Sequence, residues 1–130
     1  MEPIGFTAYP TETRDYNTGD LVIFDGVLAN IGNYYDSETG IFTCSRNGTY
    51  VFTVGVIGAS GVEAELQIMI DDFNYISTFS EGGNDVGTVS GVVDCIVNQK
   101  VWIRAGRYTR VYGSLINKYS VFSGYLFYAY

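Results

Sequence analysis

The chain contains no histidine, two prolines and two cysteines among its 130 residues. Without imidazole it lacks the commonest biological acid–base group and metal ligand. Two cysteines allow at most one bridge, which excludes a disulfide-dense miniature fold. Cys44 and Cys95 each close an alternating apolar run, and both read as buried free thiols packing like small hydrophobes, with a single bridge as the alternative. Charged residues make up only 16% of the chain and leave a net charge of −7, so nucleic acid, whose phosphates require clustered Lys and Arg, is excluded as a general partner. No apolar run approaches the ~18 residues of a membrane-spanning helix, so membrane insertion is not expected. Met1-Glu2-Pro3 leads straight to Phe6 without a signal-peptide core, so residues 1–5 read as a linker stretch ahead of a mature domain. There is no Gly-x-Ser-x-Gly elbow, phosphate-cradling glycine loop or zinc-ligand spacing, and the acidic pair Asp71-Asp72 is explained by solvation in a turn. The expectation is a protein that is not an enzyme.

What the chain has instead is apolar and aromatic: 47% hydrophobic residues, 12 Tyr, 8 Phe and 16 Gly. Aromatics favour pleated, half-buried surfaces and glycines favour tight turns. Short apolar runs broken by Gly, Asn and Asp about every ten residues are the pattern of an all-β sandwich, formed here as one domain over residues 1–130. Strands are expected near residues 6–8, 21–24, 27–30, 40–44, 49–57, 63–71, 75–80, 87–97, 100–107 and 120–128. Turns are expected at 17–19, 47–48, 71–72, 82–85 and 98–99.

The strands are of two kinds. From Val62 to Asp71 the pattern mostly alternates, with Val62, Ala64, Leu66, Ile68 and Ile70 facing inward and Glu63, Glu65, Gln67 and Asp71 facing water. The runs 50–57, 91–97 and 119–130 are instead apolar or aromatic on both faces. Only one face can fill the sandwich core. A contiguous apolar patch of several hundred Å² is rare on a soluble monomer, and the chain offers no helix to cover it. Another copy of the chain is the simplest cover, which predicts a homo-oligomer joined through one sheet.

Phe24, Asn30, Tyr35, Phe42, Gly48, Tyr50 and Phe52 stand at the spacing of the gC1q signature, with Val54 where that signature has an aromatic. Val121-Phe122-Ser123-Gly124-Tyr125-Leu126 resembles the closing TFSGFL segment of that family. Val101-Trp102-Ile103 resembles its VWV strand, with Gln99-Lys100 replacing the usual Gly-Asp, and Phe6-Thr7-Ala8 resembles its opening FSA. The chain therefore resembles the globular-head domain of complement C1q from Phe6 to Tyr128. The resemblance implies a ten-stranded jelly roll of the tumour-necrosis-factor type, a homotrimer with the sheet of both terminal strands near its axis, and a secreted, extracellular setting. Asn30 and Gly48 read as turn residues, Phe42, Tyr50 and Phe52 as inward-facing, and Gly124 as a point of close backbone approach. For the trimer interface and core the candidates are Tyr50, Phe52, Phe122, Tyr125, Phe127 and Tyr128.

Three features are candidates for function. Some family members bind calcium in the loop matching Glu81–Asp85. That makes Asp85 a candidate Ca²⁺ ligand, with Ser77 at the position of a second one and a solvated turn as the alternative. Arg104, Arg107, Tyr108, Arg110 and Tyr112 interleave guanidinium and phenol groups able to grip anions and stack on rings, a candidate ligand-binding strip that trimerisation would multiply. The alternative is that these arginines pair with acids between subunits. Asn47-Gly48-Thr49 is a glycosylation sequon, which makes Asn47 a candidate acceptor. The expected function is a secreted recognition head that binds acidic glycans or microbial patterns in innate immunity. A receptor-binding trimeric ligand of cerebellin or cytokine type, or the trimerising head of a collagen-like structural protein, are the other readings.

Overall fold

The computed structural model describes residues 2–130, and among these every regular element is a strand. The thirteen segments are β1 Gly5–Tyr9, β2 Glu12–Tyr16, β3 Leu21–Val22, β4 Gly26–Ile31, β5 Tyr35–Asp36, β6 Ile41–Thr43, β7 Gly48–Ile57, β8 Ala64–Ile70, β9 Phe73–Ser80, β10 Val86–Cys95, β11 Lys100–Ala105, β12 Thr109–Ser114 and β13 Val121–Ala129. Each of the ten expected strands has its counterpart. The additions are β2, β5 and β12, which carry too many polar residues or are too short to stand out as apolar runs.

A five-stranded antiparallel sheet runs β10-β7-β13-β1-β4, and a six-stranded one contains β5-β6-β11-β8-β9 with β3 paired to β11. β2 and β12 form a separate two-stranded ribbon. The two large sheets face each other as a jelly-roll sandwich. Alternation decides which side chains meet between them. Tyr50, Phe52, Val54 and Val56 of β7 are fully buried, as are Leu66 and Ile68 of β8 and Ile103 of β11. Phe6 stacks on Tyr35 with ring centroids 4.6 Å apart and meets Phe122 edge-on at 4.8 Å, while Phe42 meets Phe52 at 5.5 Å. Such pairs add roughly 0.5–1.5 kcal/mol each beyond the area they bury.

Several expectations need correction at this level. Cys44 and Cys95 are not free thiols: they form a disulfide, both residues fully buried, with Cα atoms 6.6 Å apart. Their β6 and β10 ends converge because Asn98 N–H donates to Cys44 O at 2.7 Å and Cys44 N–H to Gln99 O at 2.9 Å. Gly48 opens β7 instead of lying in a turn. A Cβ there would run into Tyr128 O and stand 2.9 Å from Leu126 Cδ1, so the missing side chain serves strand packing. At Gly124 the close neighbours are the rings of Phe52 and Phe6, not another backbone. Asn30 closes β4, and its side chain spans the following turn through Nδ2–H to Tyr35 O at 2.8 Å and Tyr35 N–H to Oδ1 at 3.2 Å. Ile4 and Gly5 lie inside the fold, not in a lead-in: Ile4 is buried, and Gly5 pairs with Tyr125 and Ile31.

The pairing also gives the sandwich two distinct ends. Gly5, Ile31, Gly48, Cys95 and Ala129 lie at one, where Tyr130 N–H donates to Asn47 O at 3.0 Å, so both termini emerge there. Tyr9, Ile57, Val86 and Val121 approach the other.

Candidate functional site

Tyr50, Phe52 and Phe122 are fully buried between the sheets, so they belong to the core and make no outer surface. Tyr125, Phe127 and Tyr128 are 50%, 63% and 62% exposed on the outer face of the five-stranded sheet. A bulge between Leu126 and Tyr128 turns the last two outward together. The register resolves this face into rows. Val92, Val51, Tyr125, Gly5 and Ile31 make an apolar row. The next row, Ser90, Thr53, Ser123, Thr7 and Ala29, is a belt of small hydroxyls in which Thr53 and Ser90 are hydrogen-bonded. Toward the termini, Tyr130 O–H donates to Asp94 Oδ1 at 2.8 Å and is 2.8 Å from Thr49 Oγ1. The outer face is therefore not greasy throughout, as its sequence predicts, but apolar and tyrosine-rich around a hydroxyl stripe. A shallow hollow of about 220 Å³ beside Tyr125, bounded by Ala29, Ile31 and Ser123, indents it.

The Arg–Tyr strip folds as the end of β11, a tight turn and β12. Arg104 Nε donates to Gln67 Oε1 at 2.7 Å. Arg107 reaches Glu63 Oε1 at 3.0 Å and Glu65 Oε1 at 3.3 Å, with its guanidinium 4.7 Å from the Phe79 ring centroid. Arg110 Nε donates to Asp15 Oδ1 at 2.6 Å, and Tyr108 O–H donates to Asp15 Oδ2. The Arg110 guanidinium and then the Tyr108 hydroxyl hold the Asp15 carboxyl down to about 2. These acid partners lie in the same chain. Tyr112 stands apart from the arginines, its ring 6.0 Å from that of Tyr119 at a tilt of 30°.

Asp85 turns toward its own loop. Ser80 Oγ–H lies within reach of Oδ1 at 3.3 Å, and Glu81 N–H donates to Oδ2 at 2.7 Å. The Glu81 amide, foremost, keeps the carboxyl below its usual range. Among the described residues no three His, Cys, Asp or Glu side chains cluster closely enough to hold a metal ion, at Asp85 or elsewhere. Ser77 stands on β9, hydrogen-bonded with Asn74. Asn47 is exposed at the end with the termini, its Oδ1 accepting from Val97 N–H at 2.9 Å.

Ser80 is a residue that sequence patterning misses, because a lone serine at a strand end carries no signal. Fully buried, it accepts from Gly58 N–H at 3.0 Å and Gly82 N–H at 3.3 Å, and so locks the β7–β8 and β9–β10 turns together. Beside these turns, at the end of the sandwich away from the termini, lies a cleft of about 760 Å³.

Comparison with known proteins matches the C1q domain family model to residues 5–127. Caprin-2 of Danio rerio is 32% identical over 132 residues, covering 96% of this chain and 14% of that protein, so the chain spans a small part of that relative's length. Among solved structures, the globular domain of zebrafish complement 1qA protein superposes with a TM-score of 0.80 at 22% identity, covering 99% of this chain and 100% of that one. Eiger TNF from S. frugiperda gives 0.75 at 6% identity over 100% and 96% of the two chains, and murine APRIL gives 0.73 at 8% over 96% and 99%. At such identities the likeness is one of fold.

Proposed function

The chain belongs to the C1q domain family, and on that premise we propose that it is a secreted, non-enzymatic recognition head that acts as a homotrimer and binds surface glycans multivalently. The observation that carries this reading is the outer face of the five-stranded sheet. Tyr125, Phe127, Tyr128 and Val92 are all exposed there, and among the described residues no other part of the chain covers them. Burying such a patch gains roughly 25 cal/mol per Å² of apolar surface. Trimer formation would seat this face against a neighbour and gather three copies of any ligand site, so that weak single contacts gain avidity. The buried Cys44–Cys95 bridge supports an extracellular setting, because such bridges persist in oxidising compartments. Exposure of Asn47 supports glycan attachment at the end with the termini, away from the cleft.

The structure bears on the chemistry of the ligand. Arg107 and Arg110 are already matched by Glu63, Glu65 and Asp15, so an acidic glycan would have to displace carboxylates held in place. Calcium enters the proposal only through assembly, with oxygens of neighbouring copies adding to Asp85. Titrating CaCl2 into the wild type and Asp85→Asn tests this, and equal heats for the two would remove Asp85 as a ligand.

A glycan array probed with the labelled chain, in parallel with Tyr125→Asp, tests the recognition reading. The expected result is binding to a restricted set of glycans that falls at least tenfold for Tyr125→Asp, because a charge placed in the apolar face opposes assembly. Absence of binding to any glycan, or equal binding by both proteins, would contradict it.

A further inference from the structure

We infer that the cleft at the end away from the termini is a binding site for a neutral pyranose, with Tyr112 and Tyr119 as its stacking wall and the β7–β8 and β9–β10 turns as its polar floor. This deepens the recognition reading above and rests on it.

Three properties of the cleft carry the inference. The first is its wall. Tyr112 and Tyr119 both line the cleft, their ring centroids 6.0 Å apart at a 30° tilt. Each is fixed by its neighbour in sequence. Val111 bridges to Gly58, and Ile57 N–H donates to the buried Ser120 Oγ at 3.2 Å. The negative face of an aromatic ring attracts the electropositive C–H face of a pyranose, as it attracts other positive edges.

The second is the floor. Gly58, Gly61, Gly82 and Gly83 line the cleft, Gly61 and Gly83 exposed, with Ser60, Asn84 and Thr13 adding side chains that can donate and accept. Sugar hydroxyls need both kinds of partner. Gly58 and Gly82 are there for packing reasons. A Cβ on Gly58 would stand 2.5 Å from Val62 O, as would one on Gly82, whose φ is +88°. Gly61 N–H donates to Gly82 O at 3.0 Å, and Ser80 ties both turns from below, so the floor is set before any ligand arrives.

The third is charge. No lining residue is ionisable apart from the two tyrosines, in a chain of net charge −7. Glu81 and Asp85 flank the β9–β10 turn, so an anionic sugar would meet like charge there, and an unpaired ammonium would find no carboxylate in the lining. Neutral hexoses fit best. The volume of about 760 Å³ falls within the range of small-ligand sites, roughly 300–1,000 Å³, and admits a short oligosaccharide.

The test is an NMR titration of the ¹⁵N-labelled full chain with methyl α-mannopyranoside, methyl β-galactopyranoside and methyl β-glucopyranoside, with glucuronic acid as the anionic comparison. The expected result is millimolar binding of at least one neutral glycoside, with amide shifts concentrated at Gly58, Gly61, Gly82 and Gly83. Tyr119→Ala, at an exposed position, should weaken that binding at least fivefold, whereas Tyr119→Phe, which keeps the ring, should stay within twofold. Absence of shifts with all three neutral glycosides, shifts clustered elsewhere, stronger binding of glucuronic acid, or unaltered binding by Tyr119→Ala would each overturn the site. A glycan-array signal that persists in Tyr119→Ala would overturn the cleft while leaving the recognition reading standing.

Discussion

Gly124 shows how a single missing methylene can decide the packing of a sandwich. The rings of Phe52 and Phe6 occupy the space a Cβ would need; Phe6 is held in turn by Phe42 and Phe122, and Phe52 by Phe42. Gly124→Ala should therefore destabilise the domain by about 1–3 kcal/mol, the usual cost of overpacking, read as a lower urea midpoint with an unchanged m-value. Asp15 gives a second prediction at this scale. Its folded carboxyl is held at about 2 by Arg110 and Tyr108, below the ordinary value of about 3.9. A depressed folded value means that its contribution is complete above about pH 4 and is lost as pH falls toward 2. Tm measured between pH 5 and 2 should fall less steeply in Asp15→Asn than in the wild type, and parallel curves would remove the pair from the account. Partners of this kind lie beyond sequence reading. The aromatic spacing from Phe24 to Phe52 exposes the core because period-two alternation is local, whereas Asp15 finds Arg110 across 95 positions. Cys44 and Cys95 mislead for the same reason: local pattern shows that both are buried but not that they meet.

At the scale of elements, the long strands are legible and the short or polar ones are not. β7, β8 and β13 announce themselves by apolar periodicity. β2 and β12 are stabilised by each other and by the Asp15–Arg110 pair, and neither has the unbroken apolar face that marks a strand. Their pairing matters because it converts what reads as an arginine-rich loop into a strand, which aims Tyr112 at the cleft and matches the arginines with acids. The residues of the candidate strip are thus legible in the sequence, whereas their pairing with Glu63, Glu65 and Asp15 is not. The disulfide acts at this scale too. It closes a loop across 51 positions between β6 and β10 at the end with the termini. Its removal in Cys44→Ala/Cys95→Ala should cost about 2–5 kcal/mol. The expected outcome in calorimetry is a clear drop in Tm with the fold retained, and an unchanged Tm would show that the bridge contributes nothing to stability.

At the scale of the whole molecule, the two sheets differ in what they show the solvent. The six-stranded sheet turns Glu65, Gln67 and Arg104 outward from β8 and β11, joined by side-chain hydrogen bonds. The five-stranded sheet turns out Val51, Val92, Tyr125, Phe127 and Tyr128 around its hydroxyl stripe. That asymmetry was legible in the sequence as runs apolar on both faces. The stripe was not, because Thr53, Ser90 and Ser123 come from three distant strands and line up only through register. The proposed contact between copies through this face, with the cleft at the far end from both termini, is an arrangement from which multivalent recognition would follow. Sedimentation equilibrium of the purified chain over a hundredfold range of concentration tests it most directly. The account predicts a species of three times the chain mass that Tyr125→Asp reduces to one. A wild-type chain that remains a single soluble subunit at the highest concentration would contradict it.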